Sequence, residues 1–295
     1  MGGVKRSTIG SVLGIVLALA AAGSIAWAGS RGSVIALGVP LFALCALISF
    51  ALNWAAFLPS YALQTERYFD LIGSVTHLTL VACALVLRGA PDPRSLLLAA
   101  LVAVWAVRLG SFLFVRVRRA GSDRRFDALK PDLARFLLTW TLQGLWVFLT
   151  LCCALAAITS VARAPLGWLT ALGTVVWLAG FAIEVLADRQ KSRFRADPEN
   201  RDRFITTGLW AWSRHPNYFG EITLWVGIAL IAFPALSGWQ LATLISPLFV
   251  FVLLTRVSGI PLLESRAQKR WGHDPDYQAY RARTPVLLMR PPGSA

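Results

Sequence analysis

Charge is what this chain lacks, and negative charge above all. Only 15% of its residues are charged, with 15 Asp and Glu set against 29 Lys and Arg in 295 residues. A soluble domain carries about 25% charged residues. At 56% hydrophobic residues and a mean hydropathy of +0.60, the composition is that of a polytopic membrane protein. The basic excess of +14 would suit nucleic acid, but the Lys and Arg sit in loops between apolar runs, so membrane topology accounts for them and no nucleic-acid partner is expected. Cysteine is scarce: Cys45, Cys83, Cys152 and Cys153 all fall within apolar runs without metal-ligand or redox spacing, and read as small packing residues. No His, Cys and carboxylate set has metal-ligand spacing, so no metal is expected. The chain has no nucleophile elbow and no Gly-rich dinucleotide fingerprint after a strand, which excludes a Rossmann site. It also lacks internal repeats and low-complexity linkers.

What is present is a series of apolar runs, each long enough to cross about 30 Å of hydrocarbon. Eight spans are expected, at 8–28, 33–57, 68–88, 95–118, 134–160, 166–187, 219–235 and 239–257. The last two should form a tight hairpin about Ala235-Leu236-Ser237-Gly238. The first follows Lys5 and Arg6 and ends at Ala26-Trp27-Ala28, a sequence open to signal peptidase, but its long apolar core reads as a retained helix. With both termini cytoplasmic, 24 basic residues fall inside and 4 outside, as the positive-inside rule requires. Residues 1–60 read as N-terminal transmembrane helices and 61–295 as the main membrane domain. The expected fold is all-α, with seven to eight helices enclosing a cytoplasm-facing cofactor cavity. A bacterial inner membrane fits the signal-like start and the Ala- and Arg-rich composition.

One stretch departs from the pattern. Thr206 to Leu230 packs Arg214, His215, Pro216, Asn217, Tyr218 and Glu221 into eight residues just where a span begins. Asn and Glu at the opening of a bilayer helix are costly without a partner or a task. The other embedded polar residues fall at the same end: Asn53, Glu66, Asp70, Arg116 and Arg119, Glu184, Asp188 and Arg256, with Arg108 near mid-span. That one-sided distribution points to a polar cavity open to the cytoplasm. A transporter or lipid-binding scaffold would spread such residues to both faces. Glu184 and Asp188 are four apart and share a helix face, which Arg195 joins if the helix continues. Arginines and carboxylates facing one cavity suit a ligand carrying phosphates and hydroxyls. The structural alternative is a set of salt bridges pinning helix ends. His77 reads most simply as a core histidine bonded to a backbone carbonyl.

The segments GLWAWSRHPNYFGEITLWVGIAL, WAVRLGSFLF…RR…DRRF and LLTRVSGIPLLESR…DPDYQAYRARTP resemble the DUF1295 branch of the steroid 5-alpha-reductase-like membrane proteins. The likeness runs from about Gln64 to the C-terminus and is densest in the last 110 residues. It implies a reductase that holds NADPH. Asn217 and Glu221 match the family's cofactor contacts in its NxxGE segment, Asp188, Arg195 and Arg203 its upstream contacts, Arg108 and Arg119 a pair of helix-4 arginines, and Arg256 a basic contact at the last helix. Glu184, which replaces an Asn of the pattern, and Arg214, His215 and Tyr218 complete the expected cofactor set. The departures bear on chemistry. Gln64-Thr65-Glu66 stands where the steroid reductases carry Gln-Glu-x-Pro, and Trp105 stands at the position of their catalytic Tyr.

The resemblance therefore implies hydride transfer from NADPH to the C=C bond of an apolar enone or steroid-like lipid drawn from the bilayer. Charge that builds on the carbonyl oxygen needs a donor. Glu66 is the expected catalytic acid, kept protonated by burial, with Tyr68 in reserve. The rival is an S-adenosylmethionine-dependent methyltransferase of the isoprenylcysteine or phospholipid type, which shares an RHPxYxG motif. Glu264, at the end of IPLLE, is the residue most like that family; the many arginines favour a phosphate-bearing cofactor.

Overall fold

A computed structural model of the chain describes the backbone of residues 2–120 and 126–292, and the side chains of residues 8–118 and 126–292. The described residues form ten helices and one two-stranded hairpin: α1 Gly2–Ser30, β1 Ile35–Ala36, β2 Val39–Pro40, α2 Leu41–Ala62, α3 Phe69–Arg88, α4 Pro93–Ala120, α5 Leu133–Thr159, α6 Trp168–Ala196, α7 Pro216–Ala232, α8 Ile245–Val252, α9 Ile260–Trp271 and α10 Pro275–Arg283. Eight stretches among the described residues are long and apolar enough to cross a membrane, as expected, and the fold is all-α.

The boundaries shift in three places. The second span starts at Leu41 rather than near 33, because Leu37 (φ 52°) and Gly38 (φ +80°) both take positive φ and close β1 on β2 in a two-residue turn. Pro40 then starts α2 with its φ already fixed near the helical value. The sixth span continues past 187 to Ala196, so Asp188 and Arg195 lie on the same helix as Glu184. The eighth is not one rod. A 3-10 segment, Gly238–Leu244, leads into α8, a π-helical turn follows at Leu253–Val257, and α9 starts only after Gly259.

The chain folds into two compact units. The first comprises Met1–Gly167 with Ile231–Ser246, the second Trp168–Leu230 with Pro247–Ala295. In the first, α5 is the core. It is apolar all round, and Phe136, Trp140, Val147, Phe148, Leu151 and Leu155 are fully buried, as a helix without a polar face must be. Two of its backbone carbonyls accept from neighbouring helices: Ser246 Oγ donates to Thr150 O at 2.5 Å, and Ser49 Oγ to Gly144 O at 2.8 Å. Arginines close the loops at one end of this unit. Arg94, 2% exposed, donates to Pro165 O at 2.6 Å and to Ile231 O, while Arg88 bonds Asp92 at 2.7 Å and Ser160 O at 3.0 Å.

The second unit is built on a glycine seam. Gly173 and Gly180 of α6 meet Gly220 and Gly227 of α7, each pair seven residues apart, so both recur on one helix face. A Cβ at Gly180 would lie 2.6 Å from Gly220 O, one at Gly220 2.6 Å from Glu184 N, and one at Gly227 2.6 Å from Gly173 O. The two backbones touch, which only glycine permits. Around the start of α10, Phe204, Trp271, Tyr277 and Tyr280 form an aromatic cluster, with ring centroids 5.1 Å apart for Phe204 and Tyr277.

Candidate functional site

The glycine seam decides which polar groups meet. Gly220 sits between Asn217 and Glu221 on α7, and its α-carbon abuts Glu184 on α6. Glu184 and Asp188 are both buried, at 2% and 7% exposure, and lie one turn apart on α6. Carboxylates buried this deeply in an apolar span are costly unless engaged.

The stretch before α7 is laid along the end of α6. Gly208 adopts φ +62°, and a Cβ there would strike Gln190, whose Oε1 accepts from Leu209 N at 3.0 Å. Trp210 Nε1 donates to Ala187 O at 3.1 Å, and the Lys191 ammonium lies 4.2 Å from the Trp210 ring. The C-terminal segment then ties the turn down from the other side. Tyr280 OH donates to Trp210 O at 2.8 Å, Arg214 N to Pro285 O at 2.9 Å, Ser213 Oγ to Leu287 O at 2.9 Å, and Arg290 N to Trp212 O at 3.0 Å. Burial raises the pKa of the Tyr280 phenol, which stays a neutral donor.

At the centre is a charged cluster. Glu264 Oε2 accepts from Arg214 Nη1 at 2.7 Å, its Oε1 lies 2.9 Å from His215 Nε2, and Arg281 Nε is 3.9 Å away. The His215 ring stacks on Tyr218, with centroids 5.7 Å apart and planes at 11°. Burial lowers the His215 pKa below 6.5, against the opposing pull of Glu264, and Lys191 and Arg214 add to the lowering. His215 O accepts from Tyr218 N and Phe219 N, both at 3.1 Å, and so starts α7. Tyr218 leans on the break between α8 and α9: a Cβ at Gly259 would lie 2.9 Å from Tyr218 Cε2.

The structure thus brings together Arg214, His215 and Tyr218 in one cluster, and Glu184, Asp188, Asn217 and Glu221 along the seam. Arg195, Arg203 and Arg256 are exposed on the same unit, Arg256 within the π-helical turn. The remaining expected residues belong to the first unit. Arg108 is half-buried, with its guanidinium 5.4 Å from the Phe112 ring centroid. The side chain of Arg119 lies outside the described residues. Tyr68 is exposed, stacked on Phe114 at 6.5 Å. Glu66 is buried, but its Oε2 lies 2.7 Å from Lys130 Nζ. Its hydrogen bond raises the Lys130 pKa above 10.5. That pairing favours a charged carboxylate over the neutral acid that burial alone implies. His77 takes the core alternative, with Nδ1 2.8 Å from Gly73 O and Trp105 and Trp146 edge-on at 5.1 and 5.0 Å.

Two pairings escaped sequence reasoning, Glu66 with Lys130 and Glu264 with Arg214 and His215. Lys130 is 64 residues from Glu66, and nothing local links them. Glu264 had a signal: it is the one acid between Arg256 and His273, amid Arg256, Arg266, Lys269 and Arg270.

Comparison with known proteins bears on the same stretch. The family model described as "Protein of unknown function (DUF1295)" matches residues 56–284. Among curated proteins, 3-oxo-5-alpha-steroid 4-dehydrogenase 1 of Bos taurus is 30% identical over 112 residues, 37% of this chain and 38% of the relative. The protein of that name from Rattus norvegicus is 28% identical over 117 residues, 39% of each chain. The chain therefore spans about two-fifths of the length of the curated relatives it matches. No solved structure matches it.

Proposed function

The chain belongs to the DUF1295 family, and from that premise we propose that it is a membrane-embedded reductase that uses NADPH to reduce the C=C bond of an apolar, steroid-like enone. The observation that carries this reading is the second unit's polar set. Buried Glu184 meets the Asn217–Glu221 turn at a seam too close for any side chain, buried Asp188 lies one turn further along α6, and exposed Arg195, Arg203 and Arg256 belong to the same unit. This chemistry fits a dinucleotide. Carboxylates and Asn accept from and donate to ribose and amide groups, while arginines answer phosphates with paired N–H donors. A methyl donor carries no phosphate for paired N–H donors to recognise.

When bound, NADPH supplies a hydride to the substrate's β-carbon. The chain's own groups bind, orient and protonate. Asn217, Glu221, Asp188 and Glu184 would fix the cofactor's hydroxyl and amide groups, and Arg195, Arg203 and Arg256 its phosphates. The proton that ends the reaction is assigned to the Glu66–Lys130 pair, whose acidic hydrogens lie on the Lys130 ammonium, with Tyr68 as the second candidate. An apolar substrate reaches such a protein through the bilayer. We place the chain in a bacterial inner membrane with both termini cytoplasmic, on the 24 to 4 distribution of basic residues.

The test is cofactor binding to detergent-purified protein, comparing NADPH, NADH and S-adenosylmethionine, with Asn217→Ala and Arg195→Ala alongside. NADPH binding that both variants lose is expected. Binding of S-adenosylmethionine alone would overturn the reductase reading.

A further inference from the structure

A carboxylate that takes one hydrogen on each oxygen fixes both of its donors. Glu264 accepts from Arg214 at one oxygen and faces His215 Nε2 at 2.9 Å with the other. With Arg214 beside it the carboxylate is charged, and a charged carboxylate only accepts. His215 Nε2 must therefore carry the proton in this contact. Burial holds the ring neutral near pH 7, so the lone pair falls on Nδ1. His215 is 5% exposed, and Nδ1 meets no hydrogen-bonding partner among the described residues. A buried acceptor left without a donor is costly. The bond from Nε2 to Glu264 keeps the ring from turning to escape this.

We propose that Glu264 is a positioning residue: by fixing His215 as the Nε2–H tautomer, it reserves Nδ1 as the acceptor for an N–H or O–H group of the bound cofactor. This rests on the cofactor reading above. Carboxamide, adenine amino and ribose hydroxyl groups are donors of the right kind. Arg214 is held by the same carboxylate, so it acts here as a structural cation and not as a phosphate ligand.

A purely structural cluster would only staple α9 to the turn before α7. Gln at position 215 separates the two roles. Its amide nitrogen reaches the place of Nε2 and keeps the bond to Glu264, but it puts nothing at the place of Nδ1. His215→Gln is expected to unfold within about 2 °C of the wild type while binding NADPH about tenfold more weakly. Equal NADPH affinity in wild type and His215→Gln would overturn the acceptor role. A second readout needs no cofactor. The chain has three histidines, so 15N-histidine NMR of wild type and His215→Gln assigns the His215 ring by difference. The neutral Nε2–H form is expected in wild type, with a shift towards Nδ1–H in Glu264→Gln. An Nδ1–H ring in wild type would overturn the proposal whatever the protein binds. If wild type binds no NADPH, the cofactor reading fails and the acceptor role falls with it, and the spectrum alone then decides whether Glu264 sets the tautomer.

Discussion

Gly220→Ala tests the seam on which the site depends. The added Cβ would lie 2.6 Å from both Gly180 O and Glu184 N, and 3.0 Å from Glu184 Cβ. Two of these are backbone atoms, so no rotamer change relieves them. Restoring an ordinary contact of 3.4 Å requires α6 and α7 to part by roughly 0.8 Å. Overpacking of this kind costs about 1–3 kcal/mol, and rigid contacts sit at the upper end. Helix preference works the other way, since Ala in a helix interior is favoured over Gly by about 1 kcal/mol. The net loss is therefore about 2 kcal/mol, or about 4–8 °C in Tm for a domain of this size. Gly10→Ala on α1, where a Cβ meets nothing within 4 Å, supplies the control and should leave Tm unchanged or raise it. Thermal unfolding in detergent reads both. NADPH affinity should fall in Gly220→Ala as well, because Glu184 moves away from Asn217 and Glu221. A Gly220→Ala protein as stable as Gly10→Ala would refute the close crossing.

Lys130→Met leaves buried Glu66 without its cation and should cost about 3–5 kcal/mol, read as a fall in Tm. Because the Lys130 pKa is raised above 10.5 in the folded chain, its contribution should hold at all pH values below 10.5 and fade only as pH climbs through the folded value; a wild-type alkaline transition that survives in Lys130→Met would contradict this. Glu66→Gln should lower turnover while leaving NADPH affinity within about twofold, which steady-state kinetics and direct titration separate. The His215 pKa is depressed, so the unfolded chain binds protons first; stability should be constant above pH 6.5 and fall as pH drops below it, with His215→Gln flattening that slope.

Much of this fold was legible because hydrocarbon imposes a length. Eight apolar runs gave eight spans, and Glu184, Asp188 and Arg195 fell on one helix once α6 was seen to continue. What periodicity could not supply was the ends. Leu37-Gly38 looked like the inside of an apolar run, although a residue pair with positive φ makes it a turn. The π-helical turn at Leu253–Val257 left no mark in hydropathy, because Leu, Thr and Val suit a regular helix equally well. The glycine spacing of α6 and α7 was plain in the sequence, yet it speaks of a close crossing only when the two helices are known to pack together. Pairings such as Glu66 with Lys130 depend on distant loops, which no local pattern encodes.

The arginines show why residue type and depth do not by themselves assign a ligand. Arg214 lies in the densest part of the motif and was expected to bind the cofactor. In the structure its side chain is 10% exposed and its charge is met by Glu264 at 2.7 Å. A guanidinium already paired with a carboxylate offers a phosphate little net attraction, and freeing it would leave Glu264 and His215 with an uncompensated charge. Arg195, Arg203 and Arg256 stand in exposed positions, where a diffusing anion first meets the protein. Phosphate recognition should therefore follow those three, and the dependence of NADPH affinity on salt should weaken in Arg195→Ala and Arg203→Ala. Neutralising Arg214 should instead be read mainly in Tm, because what it holds is the turn that starts α7.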